Sequence, residues 1–323
     1  MTVKPASRTV CVLGGTGFVG RVLVNDLVRA GYRVRVPTRN PHRNRDLLVL
    51  PGLELPAADV HDERTLARLL ARCEAAVNLV SILNERGHDG SGFRRVHVDL
   101  AAKVVRACHE AEVGRLLHMS ALKANAERGP SHYLRTKGQA EQAVKSQSGE
   151  SIRYTIFRPS TIFGANGGFV QQFARLLKAA PVLPLPAADA RMAPVFVDDV
   201  ARAFLVALEN GHTQNRTYEL CGPDIYSLEE LVRLIRQELG LRRAILRVPK
   251  FLGRLQAWAS DYLVPGKPFS LDNFRSLSVS SVCTENGLAA LGIEPRSFET
   301  LLTTFFDTAR GRPRPDGSAS RPS

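Results

Sequence analysis

Tyr133 and Lys137 stand four residues apart in SHYLRTKGQAE. On a helix this spacing puts both side chains on one face, with Cβ atoms about 5–6 Å apart. An ammonium beside a phenol favours phenolate and draws the tyrosine pKa toward neutrality, and the same lysine can hydrogen-bond a ribose. The pair is therefore equipped for acid/base work on a carbonyl or hydroxyl. Ser120, at the end of the apolar run RLLHMS, could hydrogen-bond the reacting oxygen; the alternative is a hydroxyl that satisfies strand-end backbone. Helices carry a Tyr and a Lys at this spacing by chance too, so the pair alone names no reaction.

A partner for such a pair is legible near the start of the chain, in VCVLGGTGFVGRVLV over residues 10–24. An apolar run breaks at Gly14, and Thr16, Gly17, Phe18, Val19 and Gly20 lead into an amphipathic helix. The first glycine permits a tight turn, the second lets backbone approach a pyrophosphate, and the third lets helix pack close to strand. Backbone N–H groups at the helix start then face the phosphates of a dinucleotide. After the second strand an acidic residue would bind the adenosine ribose diol, but VRVPTRNPHRNR holds Arg39, Arg43 and Arg45 and no acid before Asp46. This favours NADP(H) over NAD(H), with Arg39 gripping the 2′-phosphate. A solvated basic loop is the alternative reading.

Strand-like and helix-like segments alternate through residue 164: GYRVRVPTR, LELPAADV, a helix from Glu63 to Arg72, AAVNLV, a helix from Asp99 to Ala111, RLLHMSA, a helix from Ser131 to Lys145, and RYTIFRPS. That order predicts an α/β fold, a doubly wound parallel sheet with right-handed crossovers and its ligands at the carboxyl ends of the strands. The expected organisation is a dinucleotide-binding domain over 1–164, with its sheet re-entered at about 194–222. A smaller mixed C-terminal lobe is expected over 165–193 and 223–308, then a disordered tail over 309–323, rich in Gly, Pro and Ser. The lobe contains the proline-punctuated PVLPLPAADARMAP and the serine-capped SLEELVRLIRQELG.

The 44 basic and 31 acidic residues give a net charge of +13, a bias toward phosphates and anionic surfaces. The arginines are scattered, Arg64, Arg68 and Arg72 falling on polar helix faces, and no nucleic-acid motif accompanies them. Cys11, Cys73, Cys108, Cys221 and Cys283 are odd in number and never CxxC, so neither a disulfide framework nor a metal site is expected, and a cytoplasmic location fits. The start lacks a signal-peptide core and no apolar run reaches membrane-spanning length.

Glycine turn, strand-end Ser120 and the Tyr133/Lys137 spacing together resemble the short-chain dehydrogenase/reductase superfamily in its extended and atypical, NAD-dependent epimerase/dehydratase-like branches, over Val10 to about Gly222. The resemblance implies that Asp59 and Val60 lie near the adenine and that Leu79 and Val80, in the NLV strand, lie beside the cofactor. It places FRPSTIFG, with Arg158, Pro159 and Ser160, near the nicotinamide, and PVFVDDVARA is similar to another family segment. The stretch HMSALKANAERGPSHYLRTKGQAEQAV looks like the dehydrogenase-like accessory subunit of respiratory complex I and its bacterial and coenzyme Q-linked relatives. Active relatives place the serine farther upstream of the tyrosine than the 13 positions between Ser120 and Tyr133. The resemblance thus implies two alternatives. One is a reductase or epimerase using Tyr133, Lys137 and Ser120. The other is a non-catalytic NADP(H)-binding subunit of a respiratory or quinone-synthesising complex, or an NADP(H) sensor.

In PKFLGRLQAWASDYLVPGKPF, Phe251, Leu255, Trp258 and Tyr262 recur at helical spacing beside Lys250 and Arg254. Over 250–264 such a stripe suits an anionic membrane surface, peripherally on its inner face, or a quinone-like or lipid substrate; it equally suits a core.

Overall fold

In the computed structural model, residues 8–165, 167–263 and 269–309 are described. Most of the tail expected over 309–323 lies outside them, as do the side chains of Lys250 and Tyr262. The chain runs β1 (Thr9–Leu13), α1 (Phe18–Arg29), β2 (Arg33–Arg35), β3 (Leu53–Glu54), α2 (Glu63–Leu70), β4 (Ala75–Asn78), α3 (Ser91–Arg94), α4 (Leu100–Glu110), β5 (Arg115–Met119), α5 (His132–Gln147) and β6 (Arg153–Pro159). There follow β7 (Ile162–Gly164), α6 (Gly168–Ala179), β8 (Val182–Pro186), β9 (Arg191–Met192), β10 (Val195–Phe196), α7 (Val197–Glu209) and β11 (Arg216–Leu220). The remainder comprises β12 (Tyr226–Ser227), α8 (Leu228–Glu238), β13 (Ala244–Val248), α9 (Lys250–Leu263), α10 (Leu271–Ser276), α11 (Gly287–Ala290) and α12 (Phe298–Ala309).

Seven strands form one parallel sheet in the order β11-β6-β5-β4-β1-β2-β3. Its alternation explains why these strands read as near-continuous apolar runs, since both faces are covered. In β1, Val10 and Val12 enter the cluster with Leu23 and Leu27 of α1, whereas Cys11 and Leu13 meet Leu66 of α2 and Val104 of α4 on the other face. The α1 cluster also takes in Leu231 of α8 and Phe298 and Leu302 of α12, so the C-terminal helices share a core with the sheet. β11 pairs with β6, which returns the chain to the sheet after the β7–α7 excursion.

Three local expectations change. The α2 helix stops at Leu70, and Arg72 stands at φ 62° in the turn rather than on the helix. The proline-punctuated segment is partly strand: β8 carries Pro184 and Pro186 because it belongs to a two-stranded ribbon with β13, where missing N–H groups can face an edge. The cysteines include one disulfide, between Cys221 and Cys283, whose Cα atoms are 6.0 Å apart across 62 residues of sequence. It was invisible in the spacing because long-range pairing brings the two together. Cys221 directly follows β11, and the returning segment is held beside it by Ser281, whose N–H donates to the Arg191 carbonyl, and by Asn286, whose Oδ1 accepts from the Cys221 N–H. Cys11, Cys73 and Cys108 are buried and free.

Candidate active site

The glycine turn is built as tightly as its spacing requires. Gly14 has φ +81°, a conformation that favours glycine, and a Cβ there would stand 3.1 Å from the backbone of Leu79 and of Val80 just past β4. A Cβ on Gly20 would overlap the Gly14 carbonyl and come within 2.6 Å of Gly15 Cα, so the first turn of α1 lies directly against the loop. Gly17 is the N-cap and offers no side-chain acceptor, which leaves the N–H groups of Phe18, Val19 and Gly20 for an anion. These features fit a pyrophosphate. Thr16 accepts from Arg21 through its carbonyl, and the Phe18 ring packs under the turn at Gly164, Gly167 and Gly168. Gly20→Ala is expected to cost about 2–3 kcal/mol through overpacking against backbone. It should also abolish measurable dinucleotide binding in a fluorescence titration.

α5 begins at an N-terminus satisfied twice. Ser131 Oγ accepts from the Leu134 N–H at 3.1 Å, and Asp272 of α10 accepts from the N–H groups of His132 and Tyr133 at 2.6 and 3.0 Å. Farther along, buried Glu141 takes both arms of the Arg158 guanidinium, which clamps the helix to the end of β6. Between these fixings stand Tyr133 and Lys137. Lys137 is 1% exposed, and its Nζ donates to the Met119 carbonyl at 3.0 Å. Burial lowers its pKa to about 8, with Glu141 opposing.

Tyr133 differs from expectation. Burial pushes its phenol up to about 12, opposed by the nearby Ser81 hydroxyl rather than by Lys137. One N–H of the ammonium goes to the Met119 carbonyl instead. Behind the tyrosine lies a polar chain that sequence spacing did not reveal. His97 Nε2 accepts from the Ile82 N–H at 3.3 Å and lies 3.1 Å from Ser81 Oγ, while Nδ1 lies 2.9 Å from Thr136 Oγ1. Accepting at Nε2 fixes the proton on Nδ1, and burial drives the imidazole pKa down to about 2, so His97 is neutral. Its ring meets Tyr133 edge-on at 5.5 Å, and Phe93 does so at 6.2 Å. His97 sits in a π-helical turn over Arg95–Asp99, a local irregularity common at functional sites.

Ser120 follows β5 and shares a face with His118 and Leu116, the face covered by α4 and α5. Ser120 Oγ and His118 Nε2 are both buried and have no hydrogen-bond partner among the described residues. Asn78 Nδ2 lies 3.3 Å from His118 Nδ1, which leaves Nε2–H as the unsatisfied donor. Two buried polar groups beside a buried ammonium are costly without a ligand to receive them.

Elsewhere, Arg39, Arg43 and Arg45 are exposed past β2, while Asp46 is engaged by Arg21. Asp59 is exposed and accepts from the His61 N–H at 3.0 Å, and Val60 packs against the α2 cluster. Pro159 ends β6, and Ser160 is spent on the C-terminal segment, its Oγ donating to the Ser281 carbonyl at 2.7 Å.

Residues 10–221 match the sequence profile of the NAD dependent epimerase/dehydratase family. The chain belongs to this family. The match runs from β1 to the residue after β11, which takes in the glycine turn, α5 and the sheet that carries them. The chain is similar to NADH dehydrogenase (ubiquinone) 1 alpha subcomplex subunit 9, mitochondrial, of Mus musculus, at 30% identity over 300 residues, covering 89% of this chain and 77% of that one. It is similar to a ceramide reductase of Caulobacter vibrioides, at 28% identity over 247 residues, covering 76% and 74%. In fold it matches a UDP-glucose 4-epimerase of Thermotoga maritima, with a TM-score of 0.73 and 19% identity over 94% of this chain and 99% of that one.

Proposed function

We propose that this family member binds NADP(H) and reduces a carbonyl carried by a lipid-like or quinone-like molecule, with Tyr133 as proton donor. The observation that carries the reading is the buried Lys137 ammonium held at the end of β5, one turn along α5 from a phenol kept protonated. A developing alkoxide is far more basic than a phenolate, so a tyrosine poised above neutrality delivers its proton downhill. Lys137, with N–H groups left beyond the one given to the Met119 carbonyl, then offers them to the phenolate that remains, and Ser120 Oγ with His118 Nε2–H offers donors toward the reacting oxygen or the ribose. When bound, the nicotinamide supplies the hydride. Similarity to a ceramide reductase supports an apolar substrate.

A second reading, a dinucleotide-binding accessory subunit of a respiratory assembly, is favoured by one observation: Ser120 Oγ makes no hydrogen bond among the described residues. Similarity to subunit 9 supports it too. Deuterium transfer separates the readings. With 4-deuterated NADPH and a panel of ceramide-like ketones and quinones, the reductase reading expects label in the product; none, with NADPH firmly bound, leaves the accessory reading.

The exposed arginines past β2 support NADP(H). Arg39→Ala is expected to weaken NADPH binding by about tenfold or more, the value of a charge-assisted pair, and to leave NADH binding unchanged. Calorimetric titration of both forms checks it, and equal affinity of the unmodified protein for NADH and NADPH would overturn it.

A further inference from the structure

Among the described residues, α9 is the one helix whose apolar side is turned outward. At about 100° per residue, Phe251, Leu255 and Trp258 fall within one narrow line, and Gly253 and Ala257 fall on the opposite side. The second side is the packed one. Gly253 and Ala257 are buried, a Cβ on Gly253 would stand 2.8 Å from Pro186 of β8, and Gln256 reaches the Pro184 carbonyl. The line of large residues faces away: Phe251 is 72% exposed, Leu255 59% and Trp258 47%, with Leu252 and Leu246 of β13 also exposed. A core helix does not leave its largest apolar residues outside, and scattered surface residues do not align.

The charge around this line selects its occupant. In sequence, residues 242–267 carry Arg242, Arg243, Arg247, Lys250, Arg254 and Lys267 against a single acid, Asp261, although Arg247 is ion-paired with Glu229 and Asp189. Arg254 is exposed on the flank of the stripe. Two copies of such a surface repel each other, whereas an anionic bilayer meets both its cations and its apolar line. Among the described residues no helix is long and apolar enough to cross a membrane, so the contact is one of lying on the surface.

We propose that α9 is a membrane-docking helix that seats Phe251, Leu255 and Trp258 in the headgroup region of an anionic bilayer, with Arg254 on the phosphates. The inference rests on this surface alone and not on the catalytic reading.

Trp258 is the only tryptophan in the chain, so its emission reports this contact directly. On the full chain, vesicles of phosphatidylcholine with phosphatidylglycerol should blue-shift the emission. They should also co-sediment the protein at least about tenfold better than phosphatidylcholine alone. Molar salt, which cuts the Debye length to about 3 Å, should weaken the capture. Phe251→Ser with Leu255→Ser should abolish both signals while an unchanged far-UV circular dichroism spectrum and melting temperature report that the fold is intact; Arg254→Glu should reduce capture. Unmoved Trp258 emission on phosphatidylglycerol vesicles overturns the proposal. So does a concentration-dependent blue shift without lipid at dimeric mass, which assigns the face to a second copy.

Discussion

Lys137→Met should make the unliganded protein more stable and a poorer binder of its dinucleotide. Drawing a lysine from its ordinary pKa of 10.5 down to about 8 costs on the order of 3 kcal/mol at neutral pH. Methionine removes that cost and forfeits the hydrogen bond to the Met119 carbonyl, worth about 1 kcal/mol. A net gain of about 2 kcal/mol should appear as a melting temperature raised by a few degrees. The sign of the pH dependence follows from the lowered pKa. The folded state binds fewer protons than the unfolded state only between the two values, so the cost is full below about pH 8 and fades as pH rises toward 10.5. The advantage of the variant should therefore be largest at neutral pH and vanish in strong alkali. NADPH affinity should fall about tenfold or more, since a buried charged donor is lost. Equal or lower stability of the variant at pH 7 would mean that Lys137 is compensated in the free protein.

Tyr133→Phe should remove turnover and spare binding. If the phenol supplies the proton, carbonyl reduction should fall by about 10²–10⁴-fold, with NADPH affinity essentially unchanged because Gly14, Gly17, Gly20 and Lys137 remain. In the unmodified protein, a phenol at about 12 stays protonated across the neutral range. The pH profile is then set by Lys137, whose ammonium stabilises the phenolate: rates should hold below about pH 8 and decline above it. A Tyr133→Phe protein that binds NADPH and still supports the cellular role would favour the accessory reading over the enzymatic one.

How much of this was legible depends on the range of the interactions. The glycine turn, the strand–helix alternation and the Tyr133/Lys137 spacing are local patterns, and backbone sterics and helix periodicity make them readable from sequence. What the spacing misjudged was long-range. Whether Lys137 acts on the phenol depends on Met119, 18 residues upstream and on another element, which takes one N–H of the ammonium. Ser81 and His97 are ordinary polar residues until folding stacks them behind the tyrosine, although the π turn at Arg95–Asp99 is a signal visible once the backbone is known. Cys221 and Cys283 meet only because β11 rejoins the sheet and the later segment runs back alongside it. The outward stripe of α9 could be read as apolar from its spacing, but its direction came only from Gly253 and Ala257 being the packed side.

The carboxylate of Asp272 at the head of α5 sets a schedule for synthesis. Its bonds to His132 and Tyr133 span 140 and 139 residues of chain. A ribosome that has released the whole seven-stranded sheet has therefore not yet released the group that finishes the tyrosine's helix. The nucleotide cradle can form early on the nascent chain, but the acid/base pair reaches its final setting only after α10 has emerged. Any chain shortened before residue 272 would keep the Ser131 cap but leave the His132 and Tyr133 N–H groups without their carboxylate.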